Sequence, residues 1–504
     1  MNIFKIKRDR ILLFGSMTVV ALAHLPALAN HLVADSWVFV VPHPFSEIFG
    51  YFFKSIIPPE WEALWLRPIP MFFFWLDTHI WPNTEWGPHL TNIIIHIFNV
   101  WLIWTCMRFI QYQSNQSHMK PAGGLPALTA CLVYGLHPLM VGTVSWVAAR
   151  FDVLCLTFGL GGMVMWLKWD AGVPGKRHGL WGMVLLLGCL LSKEQGVVFI
   201  ATCFLVTLLR SVFSPKERPR SIRGLIFLSL MFCGYFLYRI IIFGGLGGYL
   251  TKPNGLSLLP PFYFLLAMVY PFHNVLKGWT LSWTVIAAIV FIIVLATIIL
   301  EQPSRTNRRI QNAYKIYIVC AASLVVFGLA TTIPNPGMTF TQIIGHAESR
   351  FVSIPITGLS LLAGIAVDSI VRSRFIYQIA IVSVSMWSIA AVWRTDVQIQ
   401  AWKFAGNVAQ SIIQQTLTLA PNPPLNSTLL FFDIPRNTEQ YVYIFGIGLK
   451  EALLLKYHNR NDLTIIRYPT REDLRNAKSG RDIIFQFMWD TGRLKILKTT
   501  GESR

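Results

Sequence analysis

The stretch HPLMVGTVSWVAARFD, residues 137–152, lies between two apolar runs of the kind that cross membranes, yet it carries His137, Arg150 and Asp152. An ionisable side chain that faces hydrocarbon costs a few kcal/mol, so such groups are rare at membrane depth and mark candidate functional sites. The stretch therefore predicts a membrane protein with polar side chains gathered at the edge of the bilayer.

The composition of the whole chain agrees with a polytopic membrane protein. Its 504 residues are 54% hydrophobic and 13% charged, with a mean hydropathy of +0.51. The net charge of +19 comes largely from short loops such as 214–223 and 301–309, as the positive-inside rule expects of cytoplasmic loops. We therefore expect no nucleic-acid partner. The seven cysteines accompany apolar runs without metal-ligand spacing and are interpreted as core residues.

Charge counting reduces twelve apolar runs to eleven predicted spans. With the N-terminus inside, the first seven runs place the basic loops 110–124, 169–178 and 211–223 in the cytoplasm. The run 262–276 is interpreted as interfacial or re-entrant, because this returns the basic loop 301–309 to the cytoplasm. The first run favours an uncleaved helix over a signal peptide, because it is long for a signal sequence. The runs lie at roughly 11–29, 90–109, 125–137, 151–168, 179–192, 196–210, 224–243, 262–276, 281–300, 315–333, 351–367 and 375–393.

Two domains are expected: a helical membrane part, 1–393, with a long first external loop, 30–88, and an external domain, 394–504. A loop of that length in a compact protein is usually functional. The second domain alternates strand-like runs with helix-like stretches and is predicted to be a small α/β domain. Its strand-like runs are LLFFDI, LTIIRY, DIIFQF and LKILK, and one helix-like stretch is QYVYIFGIGLKEALLLKY.

Under this topology, the polar residues near the span ends share the external face and could line one cavity. For each alone there is a simpler interpretation: a basic side chain that reaches the headgroups, a local ion pair, or a histidine that bonds a helix end. Taken together, cations suited to holding a phosphate and carboxylates suited to general-base work recur at nearly every external turn. These residues are Asp35, His89, Asn92, His96, His137, Arg150, Asp152, Lys193, Glu194, His346, Glu348 and Arg350.

The order of these motifs resembles one family, the GT-C glycosyltransferases that take sugar from a polyprenyl-phosphate carrier. Within it, the sequence is most similar to the membrane half of the transmembrane and tetratricopeptide-containing O-mannosyltransferases and their bacterial relatives. The matching stretches cover about the first 370 residues, and HP with RxD thirteen residues later, then SKEQG, is fairly specific. They are ADSWVF, LRPIPMFFFWLDTHIW, PHLTNIIIHIFN, HPLMVGTVSWVAARFD, LSKEQG and ESRFVSIPITGLSLL.

The resemblance implies an all-α GT-C fold in which Asp35 takes the place of the acceptor-activating aspartate. It places Arg67 with the other external residues in the lining of the substrate chamber. The expected reaction is an inverting transfer of a hexosyl or pentosyl group. Asp35 accepts the proton of an acceptor hydroxyl while the lipid phosphate leaves, its charge held by Arg150, Lys193 or Arg350, which the sequence does not rank.

Two departures from the family pattern bear on the acceptor and on a metal. No tetratricopeptide array follows, so a protein acceptor is in doubt, and a lipid or a glycan stays open. Asp35 is followed by Ser36 where some relatives have two adjacent acids, so we expect no metal. No cofactor is expected besides the lipid-linked sugar, which is a substrate.

Two other classes compete with a glycosyltransferase of the cell envelope. A polysaccharide polymerase or ligase would use external arginines without needing Asp35. A transporter or flippase would place charges near mid-span, within paired repeats of broken helices. The expected location is the inner membrane, with the site and the C-terminal domain facing outward and membrane lipids as neighbours.

Overall fold

The computed structural model is predominantly helical, with a small α/β domain at the C-terminal end. It describes residues 3–57, 63–114, 123–175, 177–249, 256–269, 308–334, 348–371, 373–439, 442–458, 460, 462–477 and 481–497. The helices that precede the C-terminal domain are α1 (Ile3–His24), α2 (Ser36–Phe39), α3 (Phe45–Gly50), α4 (Pro68–Ile80), α5 (Trp86–Ser114), α6 (Leu125–Leu136), α7 (Val141–Ser145), α8 (Arg150–Asp170), α9 (His178–Leu190), α10 (Val197–Phe213), α11 (Arg218–Phe243), α12 (Leu259–Val269), α13 (Arg308–Ala330), α14 (Ser353–Ile370) and α15 (Arg374–Leu419).

This is a multi-pass membrane protein. Among the described residues, seven helices are long and apolar enough to cross a bilayer, and an eighth span results if α6 is joined to the segment Pro138–Ser145 across a 51° bend. Shorter apolar helices occupy His178–Leu190, Leu259–Met268 and Tyr314–Ala330. The predicted run 281–300 and the end of the run 262–276 lie outside the described residues. The count of eleven spans and the orientation therefore stay predictions.

One large apolar core holds the membrane helices together. α8 packs on α9, α14 on α6 and α13, and α5 on both α6 and α8, while α1 lies against α5, α6 and α15. Six of the seven cysteines are buried within these helices, and only Cys233 is exposed. The buried thiols therefore serve as the core residues that the sequence predicts.

The C-terminal domain forms a four-stranded sheet of order β4-β3-β5-β6, in which β3 is parallel to both β4 and β5, and β6 is antiparallel to β5. The predicted α/β class is confirmed, and all four strand-like runs form strands. Its elements are β3 (Thr428–Phe432), α16 (Leu449–Lys456), β4 (Thr464–Arg467), α17 (Arg471–Asn476), β5 (Ile483–Met488) and β6 (Arg493–Leu497). The two-residue strands β1 (Ala63–Leu64) and β2 (Gly248–Tyr249) pair apart from this sheet.

Two details differ from the sequence-based expectation. The helix α15 runs through residue 394, so the expected domain boundary falls inside a continuous helix. The helix predicted over residues 440–457 was too long, since it begins only at Leu449. Residues 442–448 instead form irregular backbone, because Ile444 pairs with Arg436 and Gly448 adopts a left-handed conformation with φ of 91°.

The C-terminal domain packs directly on the first long loop. A second apolar core joins Trp37 and Phe39 of that loop with Trp146, Trp402 and Phe445. The C-terminal domain rests on one side of the helix bundle. The turns that hold the predicted site residues lie on the same side. The docked domain therefore forms one wall of any chamber at these turns.

Candidate active site

Asp35 lies in the first loop, directly before the short helix α2, where the C-terminal domain touches the loop backbone. The amide of Ala34 donates a 2.8 Å hydrogen bond to the carbonyl of Ile444. A side chain at Gly448 would meet the carbonyl oxygen of Ala34 at 1.9 Å, so only glycine permits this approach. The position of Asp35 is thus fixed in part by the C-terminal domain.

The carboxylate of Asp35 is buried, and its Oδ1 has no hydrogen-bond partner among the described residues. Burial raises the pKa of Asp35 to about 7, an effect that Arg350, Trp146 and Arg67 oppose without cancelling. A carboxylate that changes protonation near neutral pH, with one oxygen free to accept a proton, has the properties of a general base.

Two cations, Arg67 and Arg350, act on this carboxylate, and a third, Lys193, lies near both of them; each comes from a different turn. Arg67 immediately precedes α4, Lys193 joins α9 to α10, and Arg350 lies in the 3₁₀ turn Glu348–Val352 before α14. Burial, together with the positive charges of Arg350 and Arg67, lowers the pKa of Lys193, while its partner Asp152 acts in the opposite sense. The three cations are therefore close enough to act on one anionic group.

Each cation is held in place by a carboxylate or an aromatic ring. Lys193 donates to Asp152 at 2.5 Å, and its ammonium lies 5.2 Å from the centroid of the Phe351 ring. The guanidinium of Arg350 lies 4.3 Å from the ring of Trp146 and 3.9 Å from the carboxylate of Glu348. These contacts orient the charges and leave the cluster with a mixed, nearly balanced charge.

Arg67 belongs to a network that the sequence did not reveal completely. Its Nε and Nη2 donate to Oε2 of Glu194 at 3.0 and 2.7 Å. Arg239, on α11, donates to the other oxygen of Glu194 at 3.2 Å and to the hydroxyl of Tyr235 at 3.0 Å. One carboxylate thus fixes two guanidiniums at the same wall.

The C-terminal domain contributes a side chain to the cluster. The hydroxyl of Tyr443 donates to Oε1 of Glu348 at 2.5 Å, and its ring lies 5.2 Å from that of Trp146. Burial and the charge of Glu348 raise the pKa of Tyr443 well above its usual value, so it stays a neutral donor. Tyr443 therefore connects the domain to Arg350 through Glu348.

Arg150 lies apart, in a buried cluster with Asp77 of α4. Its guanidinium pairs with Asp77 and donates to Asn92 at 2.9 Å and to the carbonyls of Pro88 and Phe73 at 2.7 and 3.4 Å. The side chain is completely buried. The structure thus gives Arg150 four partners within the protein, and Asp152 binds Lys193 instead of Arg150.

Three of the remaining predicted residues, Asn92, His96 and His137, bond backbone carbonyls. Asn92 donates to the carbonyls of Val144 and Trp146 at 3.3 and 3.2 Å and so holds the stretch 137–152 in place. Both His96 and His137 bond a backbone carbonyl, at 3.1 and 3.0 Å. His89 is buried beside Arg150, and His346 lies outside the described residues.

Sequence reasoning overlooked Arg239, Asp77, Trp146 and Tyr443. Arg239 and Asp77 had a usable signal, because Asp77 is the one acidic residue of α4 and Arg239 is the one charge in the apolar stretch 224–243 of α11, so each required a partner. Trp146 and Tyr443 had none, since aromatic residues are common in such chains. Within the described ranges, no cluster of three or more histidine, cysteine or acidic side chains is arranged to hold a metal ion.

A sequence comparison identifies one relative with the chemistry that these residues suggest. The chain is 24% identical over 134 residues to the protein O-mannosyl-transferase F38B6.6 of Caenorhabditis elegans. This relative is of the O-mannosyltransferase kind that the sequence motifs resemble. The match covers 27% of this chain and only 18% of the relative. No family model matches the chain.

Solved GT-C structures show a distant likeness to this chain. ArnT of Cupriavidus metallidurans, bound to undecaprenyl phosphate, is 14% identical with a TM-score of 0.49, over 95% of this chain and 93% of that one. The oligosaccharyltransferase AglB of Archaeoglobus fulgidus, in complex with an inhibitory peptide and a dolichol-phosphate, is 9% identical with a TM-score of 0.44, over 93% and 65%.

Proposed function

We propose that the chain is a membrane glycosyltransferase that moves a sugar from a polyprenyl-phosphate carrier to an acceptor hydroxyl. The observation that carries this proposal is the buried carboxylate of Asp35, with an unpartnered oxygen and a pKa of about 7, next to Arg350 and Arg67. This reaction needs a base and a phosphate-holding group close together, and Asp35 with its neighbouring arginines is suited to these two roles.

The proposed reaction is a single displacement at the anomeric carbon. Asp35 removes the proton of the acceptor hydroxyl as its oxygen bonds to that carbon, and the carbon–phosphate-oxygen bond breaks with its electron pair leaving on the phosphate. Attack from the side opposite the leaving group inverts the configuration. The negative charge that develops on the phosphate is stabilised by cations already in place.

The geometry favours Arg350 as the phosphate-binding group, with Arg67 and Lys193 as neighbouring cations. All three act electrostatically on one another or on Asp35. Arg150, by contrast, has its guanidinium engaged by Asp77, Asn92 and two carbonyls. A phosphate at Arg150 would have to displace partners that are themselves buried, which is unfavourable.

The test is transfer by purified protein from radiolabelled polyprenyl-phosphate sugars to water or to a membrane extract, with wild type and Asp35→Asn. General-base catalysis contributes about 10²- to 10⁴-fold, so we expect a loss of that size with little change in donor KM. Wild-type kcat should fall as the pH drops below about 7, because the base becomes protonated.

The matched control is Asp490→Asn, an exposed carboxylate of the C-terminal domain, which should leave the rate unchanged. Full activity of Asp35→Asn with every donor would remove the assigned base and favour a polymerase or ligase that needs no carboxylate there.

A further inference from the structure

Two arginines and a tyrosine meet at one edge of the sheet in the C-terminal domain. Tyr468 directly follows β4, and Asp433 directly follows β3, the parallel neighbour of β4. Both residues have a left-handed backbone, with φ of 59° and 56°. Such a conformation is uncommon for a bulky residue and clusters at binding sites, so this edge is a place to look for a ligand.

The topology of the sheet predicts a ligand-binding crevice at the same edge. The chain passes from β3 to β4 on one side and then crosses to β5 on the other side of β3. In open α/β sheets, ligands bind outside the carboxyl ends of the strands where the strand order reverses in this way. The residues after β3 and β4 lie at those ends.

The ring of Tyr468 is fixed between two guanidiniums. Arg467 lies 4.1 Å and Arg436 lies 4.7 Å from the ring centroid. The hydroxyl of Tyr468 donates to the carbonyl of Ile434 at 2.9 Å, and its amide donates to the carbonyl of Phe431 at 3.1 Å. The ring therefore acts as a rigid spacer that holds two like charges near each other.

Neither arginine forms an ion pair with a carboxylate of the described residues. Arg436 is exposed, whereas Arg467 is half-buried and its Nη1 is buried without a hydrogen-bond partner in the same residue set. The carboxylate of Asp433 accepts a 2.9 Å bond from Gln486 of β5 instead. Burial and the neighbouring Arg436 lower the pKa of Arg467, as expected for a cation that lacks a counter-charge.

This pair of arginines is connected by backbone to the catalytic loop. The carbonyl of Arg436 accepts a 2.8 Å bond from the amide of Ile444, and the carbonyl of Ile444 accepts a 2.8 Å bond from the amide of Ala34. Asp35 is the next residue. Two main-chain hydrogen bonds would therefore connect a group bound by Arg436 to the loop that holds Asp35.

We propose that Arg436, Arg467 and Tyr468 form an oxyanion site for a phosphate-type group, through which the C-terminal domain holds an anionic acceptor or lipid headgroup. Two guanidiniums match the oxygens of such a group, and the unpartnered Nη1 of Arg467 supplies a donor. Oxyanion binding at this site does not depend on the proposed transferase activity. Only the role of the site in acceptor choice rests on that function.

The first experiment maps protection in the intact chain. The full-length protein in neutral-lipid nanodiscs is treated with phenylglyoxal, with and without inorganic phosphate, and modification of each arginine is followed by mass spectrometry. Phosphate should slow modification of Arg436 and Arg467 several-fold and leave Arg493 unchanged. Arg493 is an exposed arginine of β6, three strands away from β4 in the sheet order.

Nanodiscs with anionic lipid distinguish the source of the oxyanion. Protection without added phosphate identifies a headgroup, and protection only with phosphate identifies a group on a soluble acceptor; either supports the site. Equal modification of Arg436, Arg467 and Arg493 under all conditions would overturn it.

The second experiment uses Arg436→Gln, Arg467→Gln and the double variant, with Arg493→Gln as the matched control. Loss of one charge-assisted hydrogen bond weakens binding about tenfold or more, so phosphate affinity should fall in the order control, single, double. Hydrolysis of the lipid-linked sugar in the absence of acceptor, measured in wild type and in Arg493→Gln, tests the transferase separately. Unchanged phosphate stoichiometry in the double variant would contradict the proposal, whereas loss of hydrolysis in wild type as well would contradict only the transferase.

Discussion

The clusters around Arg150 and around Arg350 use the same residue types and differ in what surrounds them. Arg150 is completely buried, and protein oxygens satisfy its guanidinium on every side. Arg350 rests on aromatic rings beside a buried carboxylate that has an unpartnered oxygen. The first cluster closes a fold, because its charges are balanced internally. The second contains a buried carboxylate whose Oδ1 has no hydrogen-bond partner among the described residues, the feature that a substrate hydroxyl would need.

Breaking the cluster around Arg150 should have the largest effect on stability. Arg150→Ala leaves the buried carboxylate of Asp77 without its counter-charge, which typically costs about 3–5 kcal/mol. We expect a sharply lower melting temperature and poor yield in detergent, whereas Arg350→Ala should melt nearly as wild type does.

The double variant Arg150→Met with Asp77→Leu should recover much of this stability, because both charges are removed together. If Arg150→Ala instead melts normally and loses donor binding, Arg150 belongs to the substrate site after all.

The buried carboxylate of Asp35, in the second cluster, should have the next largest effect on stability. Its replacement should stabilise the fold, whereas breaking the Arg150 cluster should destabilise it. Asp35 has a pKa of about 7 in the fold against an ordinary 3.8, so between these values the native state holds a proton that the unfolded chain has released. Stability therefore falls as the pH rises through this window, by up to about 4 kcal/mol above pH 7.

Asp35→Asn removes this penalty. We expect a higher melting temperature than wild type at pH 8 and an advantage that vanishes near pH 4. An advantage of equal size at both pH values would mean that the carboxylate is not the ionising group.

Substitutions in the cluster around Arg350 should weaken donor binding and leave the stability of the fold nearly unchanged. Arg350→Ala should raise the donor KM about 10- to 100-fold, since a charge-assisted bond to the phosphate contributes about 1.5–3 kcal/mol. Arg350→Lys should restore this only partly, because an ammonium offers a point charge and not a planar fork. An unchanged donor KM in both variants would limit Arg350 to packing on Trp146.

The smallest effect should come from the contact between the two domains. Tyr443→Phe removes the donor to Glu348 and leaves the ring against Trp146. A hydrogen bond of about 1 kcal/mol predicts a several-fold fall in kcat/KM for the acceptor, with donor KM nearly constant. Identical kinetics in wild type and variant would show that the domain covers the site without orienting Arg350.

The candidate site was predicted in part because charge at membrane depth is conspicuous in an apolar sequence. Asp35, Lys193, Glu194, Glu348 and Arg350 each follow or precede an apolar run, and the structure gathers them. The pairing was not predictable, since the turn at Lys193 and the start of α8 are separated by α9, and only helix packing brings Lys193 to Asp152. For the same reason Asp152 pairs with Lys193, and Arg150, only two residues away in sequence, pairs with Asp77.

The sequence by itself determined the class of protein, the places where most spans begin and end, and the four strands of the C-terminal domain. These features depend on hydropathy and on residue periodicity, which are local. Only the tertiary structure decided which cations stay available, because burial and partners are set by helix packing. It also decided that Tyr443 and Ile444 reach the loop of Asp35. Gly448 has a left-handed backbone and lies against the carbonyl of Ala34, and no local sequence pattern predicts this contact.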